Sequence, residues 1–177
     1  MTQSFPPPAF DLPEALLSQG YSLRPETDAD LPFLMQVYTS TRIDELTTVP
    51  WDDDQKRAFL IHQFGAQRTH YYAHFMDGGA FLIIERNGKP VGRLYLQEVV
   101  TRIHLIDIVM MPDQRNGGVG SAIIVALQDY ARRRGKGVDN FVERYNPALN
   151  LYRRLGFEVV REEEVYLEMD WAPEGVS

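Results

Sequence analysis

The residues best suited to chemistry lie in a glycine-rich turn in the second half of the chain. Residues 108–120 read Ile-Val-Met-Met-Pro-Asp-Gln-Arg-Asn-Gly-Gly-Val-Gly, an apolar strand that runs through a proline into the turn. An amphipathic helical pattern follows directly, so free backbone N–H groups and the positive end of a helix dipole meet at one point. Such a point predicts a binding site for a phosphate or a pyrophosphate.

The turn differs from the two common nucleotide-binding turns. It lacks the Gly-Lys-Ser/Thr ending of a P-loop, and isoleucine stands where a dinucleotide fingerprint has its third glycine. Gly117, Gly118 and Gly120 carry no Cβ, so the backbone can approach a phosphate closely. Arg115 and Asn116 offer further side-chain donors. A diphosphate held by main-chain N–H groups without a metal ion fits coenzyme A.

Length and composition limit the class of protein and its partners. A chain of 177 residues fits one domain, and the net charge of −7 argues against nucleic acid as a partner. The sequence contains no cysteine, which excludes disulfides, thiolate metal sites and a cysteine nucleophile. No apolar run approaches the roughly 20 residues that span a bilayer, and no signal-peptide pattern opens the sequence. We therefore expect a cytoplasmic protein with no metal and no membrane contact.

The hydrophobic periodicity predicts an α+β fold with a mixed sheet. We expect a proline-rich arm over residues 1–20, one domain over 21–171 and a short tail over 172–177. Two helices come first, then an antiparallel meander, then a β-α-β unit and a closing hairpin. Asn87-Gly88 predicts a tight hairpin turn, because both central positions of that turn favour positive φ. The predicted strands cover residues 21–24, 80–86, 90–100, 103–111, 138–142, 157–161 and 165–170.

The second helix is predicted to begin at the acidic run of residues 52–54. Negative charge is favourable at a helix start, because it faces the positive end of the helix dipole. The helical spacing of its apolar residues places Phe59, Leu60 and Phe64 on the inner face.

A second motif follows the glycine-rich turn along the chain. It reads Asn146-Pro-Ala-Leu-Asn-Leu-Tyr152-Arg-Arg-Leu-Gly-Phe. With the Arg115-x-x-Gly-x-Gly turn before it, the chain resembles the GCN5-related N-acetyltransferases (GNAT) over residues 21–171. The resemblance implies a three-layer α/β/α fold with a mostly antiparallel sheet of six to seven strands and about four helices. It also implies acetyl-CoA as the acyl donor and direct attack by a primary amine in a ternary complex.

The resemblance also assigns the cofactor contacts. In this family the strand before the turn separates from its neighbour at a bulge, and the pantetheine arm pairs with the exposed backbone, here that of Ile108 and Met110. The expected contacts are Ile108, Met110, Arg115, Asn116, Gly117, Gly118, Val119, Gly120, Ser121, Asn146 and Tyr152.

Acetyl transfer to an amine also needs an acid and a base. Deprotonating an alkylammonium at neutral pH costs about 4–5 kcal/mol, so a base or a proton relay is useful. Tyr152 matches the tyrosine that protonates the leaving thiolate in this family. Many members carry a glutamate base where this chain has His104. Asp107, in an apolar strand, is a second candidate for the base, and Glu98 and Glu143 are weaker ones.

The acceptor is expected to bind between the first two helices and the hairpin loops. We expect a small-molecule or peptide amine, and the protein could form a homodimer. A second hypothesis is an inactive acyl-CoA-binding sensor or partner module, which retention of Tyr152 and of the complete turn disfavours. The expected acceptor region is rich in aromatic residues, which are Tyr38, Trp51, Phe64, Tyr71, Tyr72 and Phe75.

Overall fold

The protein is built around one mixed seven-stranded sheet, seen in a computed structural model that describes residues 8–176. The strand order is β1-β2-β3-β4-β5-β7-β6, and β4–β5 is the parallel pair. The strands are β1 (Tyr21–Pro25), β2 (Gly79–Arg86), β3 (Lys89–Glu98), β4 (Arg102–Met110), β5 (Gly137–Glu143), β6 (Glu158–Glu162) and β7 (Tyr166–Trp171).

Helices cover the sheet on both faces. They are α1 (Glu14–Leu17), α2 (Leu31–Arg42), α3 (Asp53–Phe75), α4 (Val119–Arg133) and α5 (Ala148–Arg154). One face packs against α1, α4 and α5 in a large apolar core that contains Leu94, Ile123 and Leu127. The other face packs against α2 and α3 in a smaller core around Leu34 and Ile83. These three layers confirm the predicted mixed α/β fold.

Local signals in the sequence set the ends of several elements. Asp52 caps α3 by accepting a hydrogen bond from the Gln55 N–H, as expected for an acidic residue at a helix start. Asn87 (φ 51°) and Gly88 (φ 76°) both have the positive φ that the hairpin turn between β2 and β3 requires. The observed strand ends lie within about two residues of the predicted ones.

The described part of the N-terminal arm, residues 8–20, packs against the domain. Phe10, Leu12 and Leu16 are buried in the large core, and the Phe10 ring meets the Tyr130 ring edge-on at 5.8 Å. The first phenylalanine of the sequence lies outside the described residues.

The fourth strand is irregular at the point where it leaves its neighbours. In the β3–β4 ladder Tyr95 pairs with Asp107 and Leu96 pairs with Leu105, so Ile106 is an extra, bulged residue. The parallel β4–β5 ladder holds three pairs and ends at His104–Asp139. Beyond this point the two strands diverge and leave a gap between residues 106–110 and 140–143, which positions the candidate site.

Candidate functional site

The gap exposes main-chain groups on one edge of β4. The Met111 N–H donates to the Val91 carbonyl at 2.8 Å, on the β3 side. Because successive residues of a strand point their N–H and C=O groups to opposite edges, those of Met110 and Ile108 point away from β3 and into the gap. The structure therefore presents the two backbones named from the sequence to the space between β4 and β5.

The glycine-rich turn lies at the wide end of this gap. Asn116 (φ 63°) and Gly118 (φ 79°) are left-handed, and Gly118 is the N-cap of α4 with no side-chain cap hydrogen bond. A Cβ built on Gly117, Gly118 or Gly120 would meet no heavy atom within 4 Å. The first-turn N–H groups of α4, from Val119 to Ser121, have no acceptor within the helix, and these residues line the groove, as an anion-binding helix start requires.

Arg115 connects the turn to the strand end. Its Nε donates to the Met110 carbonyl at 2.9 Å, and its Nη2 donates to Ser40 Oγ at 3.2 Å. One nitrogen of the guanidinium is thus used to fix the strand end, and the side chain lies on the wall of the groove that holds the turn. Its expected role in binding the cofactor stays a prediction.

The second motif places Tyr152 on the α5 side of the gap. The Tyr152 side chain is buried, with its ring edge-on to Phe157 at 5.4 Å, and it lines the groove. Burial raises the pKa of its phenol to about 12, and a hydrogen bond from the Asn140 side chain partly offsets that rise. Tyr152 is therefore protonated at neutral pH. Asn146 accepts a hydrogen bond from the Ala148 N–H (2.9 Å) and so acts at the start of α5.

His104 lies at the last paired position of the β4–β5 ladder. Its Nδ1 is 2.5 Å from Oδ1 of Asp139, and Arg102 Nη1 contacts the other oxygen of that carboxylate at 3.1 Å. The Asp139 side chain is 6% exposed, whereas that of His104 is 30% exposed. A buried carboxylate therefore holds one ring nitrogen and orients the imidazole, and His104 lines the adjacent cavity.

Asp107, the second candidate for the base, has a different environment. Its Oδ2 lies 2.5 Å from Nη2 and 2.8 Å from Nε of Arg93. The Arg93 side chain is 2% exposed, and this ion pair raises the pKa of the guanidinium even though burial opposes its charge. Asp107 thus neutralises a buried, permanently charged group. The sequence analysis missed this partner, although an arginine inside the apolar run of β3 is a visible signal.

The two weaker candidates for the base are ion-paired as well. Glu98 contacts Arg134 at 2.8 Å and Lys136 at 2.7 Å, and it accepts a hydrogen bond from Tyr130. Glu143 contacts Arg42 at 3.0 Å. Glu98 does not line either cavity at the gap, whereas Glu143 lies on the wall of the groove.

A cavity of about 540 Å³ opens on the α2–α3 side of the gap. His104, Leu105 and Ile106 form one wall, and Asn140 lies at its junction with the groove. Two aromatic residues on its rim were not predicted, Phe141 and Tyr166. Of the aromatic residues expected around the acceptor, the cavity is lined by Tyr38, Tyr71 and Phe75 but not by Trp51, Phe64 and Tyr72.

Two classes of site are not found in the described part of the chain. Among residues 8–176, no group of three or more His, Asp or Glu side chains is arranged to hold a metal ion. None of the described helices is both long enough and apolar enough to cross a membrane.

The gap between β4 and β5, the glycine-rich turn and Tyr152 all lie within the part of the chain that one family model matches. The Acetyltransferase (GNAT) family matches residues 39–157. The chain belongs to this family.

Relatives and solved structures agree with this assignment. The chain is 35% identical over 98 residues to an uncharacterized N-acetyltransferase of Methanocaldococcus jannaschii, covering 46% of this chain and 40% of the relative. It is 35% identical over 83 residues to mycothiol acetyltransferase of Saccharomonospora viridis, covering 46% and 24% respectively. The chain thus matches less than half the length of either relative.

The fold is shared with a PaiA N-acetyltransferase from Thermoplasma acidophilum, whose crystal structure contains coenzyme A. The two superpose with a TM-score of 0.64 at 13% identity, over 86% of this chain and 99% of the other. At this identity the likeness concerns the fold.

Proposed function

We propose that this protein is an acetyl-CoA-dependent N-acetyltransferase that transfers an acetyl group to a primary amine by direct attack in a ternary complex. The observation that carries the proposal is the gap between β4 and β5. Its open edge, its glycine-rich end and its two flanking side chains, His104 and Tyr152, together match what acetyl transfer from a thioester requires.

Acetyl-CoA would lie along the groove. The open N–H groups between Asn116 and Ser121 suit the diphosphate, because a helix start favours negative charge and no Cβ obstructs the approach. The main-chain groups of Ile108 and the Met110 N–H face the gap and suit the amide groups of the pantetheine arm, as an added strand would. The thioester would then reach the junction of the groove with the cavity, where Asn140 lies, with Tyr152 on the wall of the groove.

His104 serves as the general base in this proposal. The Asp139 carboxylate holds Nδ1, which leaves Nε2 as the acceptor, and His104 lines the cavity. As the amine nitrogen bonds to the thioester carbonyl carbon, the proton that leaves nitrogen is taken up at His104 Nε2. Asp107 is proposed to have a structural role, since its carboxylate is already bonded to Arg93.

Tyr152 serves as the general acid. When the carbon–sulfur bond breaks, the thiolate needs a proton, and a phenol with a pKa near 12 retains one at neutral pH. The products are the acetylated amine and free coenzyme A.

The proposal is tested by two measurements on the same protein. Calorimetric titration with coenzyme A measures binding, and a thiol-release assay with acetyl-CoA and a panel of amines measures transfer, with mass spectrometry identifying the acetylated amine. We expect binding, and release that depends on the amine. Binding without release from any amine would favour the acyl-CoA sensor, and absence of binding would contradict both functions.

A further inference from the structure

The cavity beside His104 has walls that favour an apolar guest. Aromatic rings from both helices of the α2–α3 layer and from two strands surround it, together with Leu105 and Ile106. Two of these rings remain largely exposed on the rim, Phe141 at 52% and Tyr166 at 40%. Covering exposed aromatic rings around a concave site with an apolar ligand is favourable, because apolar surface is removed from water. The ring-bearing residues are Tyr38, His70, Tyr71, Phe75, Phe141 and Tyr166.

The ionised side chains on this wall are already paired. Arg42 Nη1 contacts Glu143 at 3.0 Å and Glu45 at 3.2 Å. Asp139 is held between Arg102 and His104. Among the described residues that line the cavity, Asp139 is the only carboxylate, so none is left to pair with a second ammonium group. A guest with two or more positive charges would therefore lose water without gaining a partner for the extra charge.

Two polar residues of the cavity come from the diverging strands, His104 from β4 and Asn140 from β5. Asn140 lies where the cavity joins the groove and is 3% exposed, and its Oδ1, which has no hydrogen-bond partner among the described residues, is buried. In the proposed mechanism His104 is therefore the group that accepts the N–H of a single amine.

We infer that the acceptor is a primary amine with one positive charge at most and an aromatic or bulky apolar substituent. This inference rests on the proposed acetyl transfer and names the substrate class of that site. The amine lies beside His104, and the substituent lies among the rings. A free arylalkylamine and a peptide with an aromatic first residue share this chemistry.

The experiment compares kcat/KM for four acceptors in the thiol-release assay. These are phenethylamine, the tripeptide amide Phe-Ala-Ala, ethylamine and spermidine. Covering a phenyl ring should raise kcat/KM for phenethylamine or for the tripeptide about 10- to 100-fold above the value for ethylamine. Spermidine should fall below the better aromatic substrate by at least about 10-fold, because its further charges find no carboxylate. The aromatic acceptor with the higher kcat/KM shows whether the amine belongs to a free arylalkylamine or to a peptide.

Variants at the rim make the test specific. Phe141→Ala, at a half-exposed position, should lower kcat/KM for the better aromatic acceptor by about 10-fold more than it lowers the value for ethylamine. Phe141→Asp should reduce or reverse the preference over spermidine, because it adds a carboxylate to the wall. Val125→Ala removes an exposed apolar side chain of α4, outside the cavity, and should change neither ratio.

The outcomes separate this inference from the proposed function. Release that is fastest with spermidine, or equal for ethylamine and both aromatic acceptors, would overturn the substrate class while the transferase function stands. Equal effects of Phe141→Ala on the aromatic acceptor and on ethylamine would also overturn it. Binding of coenzyme A with no release from any of the four amines would overturn the transferase function and the substrate class with it.

Discussion

The two ends of β4 differ in a way that explains the site. At residues 102–104 the strand pairs with β3 or its turn on one side and with β5 on the other, and the side chains there are fixed in ion pairs. After the bulge at Ile106 it pairs with β3 alone, and its second edge is open. The paired end holds His104 in place, and the open end leaves main-chain groups free for a ligand. One strand thus combines a rigid support with a binding edge.

The two aspartates beside this strand show a related contrast. Asp107 contacts a buried arginine, which keeps its proton at any ordinary pH, whereas Asp139 contacts a histidine, which can gain and lose one. The same residue type is therefore bonded to a permanent charge at one position and to a titratable ring at the other, and in the proposed mechanism the second aspartate orients the base. Substitutions at both ends of β4 test this division, and the largest effect is expected at the open end.

Closing the open end should abolish cofactor binding. Gly120→Trp adds a ring where a Cβ now meets nothing within 4 Å, so the fold tolerates it while the phosphate position is filled. We expect coenzyme A to bind at least about 100-fold more weakly by calorimetric titration. Gly65→Trp, which also has open space at its Cβ but lies in α3, serves as the control and should bind coenzyme A normally. Normal binding of coenzyme A by Gly120→Trp would show that the diphosphate binds elsewhere.

Removing the imidazole should affect the chemical step. His104→Ala is expected to lower kcat about 10²- to 10³-fold, the usual contribution of a general base, with the affinity for coenzyme A unchanged. Because the side chain borders an open cavity, free imidazole should restore part of the rate. Full kcat in His104→Ala would show that another group is the general base.

Removing the carboxylate of Asp107 should affect the stability of the protein and not the chemical step. Asp107→Asn leaves the Arg93 guanidinium buried without its counter-charge, and one of its nitrogens already lacks a partner among the described residues. We expect the free energy of unfolding to fall by about 3 kcal/mol in a urea titration. The double variant Arg93→Met, Asp107→Leu should regain most of the loss. If Asp107→Asn is as stable as the parent but inactive, Asp107 is the base.

The phenol should contribute less than the imidazole. Tyr152→Phe keeps the ring that packs on Phe157 and removes the proton donor, so kcat should fall about 10- to 100-fold at an unchanged KM for acetyl-CoA. Because burial raises the pKa of this phenol to about 12, the acid form persists well above neutral pH. Ionisation of Tyr152 should therefore cause no loss of rate between pH 7 and about 10. An alkaline loss in that range that disappears in Tyr152→Phe would contradict the raised pKa.

The sequence predicted the features that depend on local signals. The hairpin at Asn87-Gly88, the start of α3 at the acidic residues 52–54 and the glycine-rich turn each follow from the preferences of a few neighbouring residues. Phe59 shows the limit of helical periodicity, because the spacing predicts it on the inner face of α3 but it is 38% exposed and packs on Trp51. The predicted start of α3 was therefore correct, whereas the predicted orientation of the Phe59 side chain was wrong.

Contacts between distant parts of the chain were beyond such reasoning. His104 and Asp139 are 35 residues apart and meet because β4 and β5 pair for three positions before they diverge. No local pattern gives that register. Asp139 and Asn140 still carry a signal, since two polar residues in the otherwise apolar run of β5 need a reason to be buried. The same argument applies to Arg93 in β3.

The most direct test of the open edge is amide hydrogen exchange in β4 with and without coenzyme A. The N–H groups of Ile108 and Met110 face the gap, whereas that of Met111 is bonded to Val91 in the free protein. We predict that coenzyme A slows exchange at Ile108 and Met110 by about 10-fold or more and leaves Met111 nearly unchanged. Saturating coenzyme A with no added protection at Ile108 and Met110 would contradict the proposed binding edge.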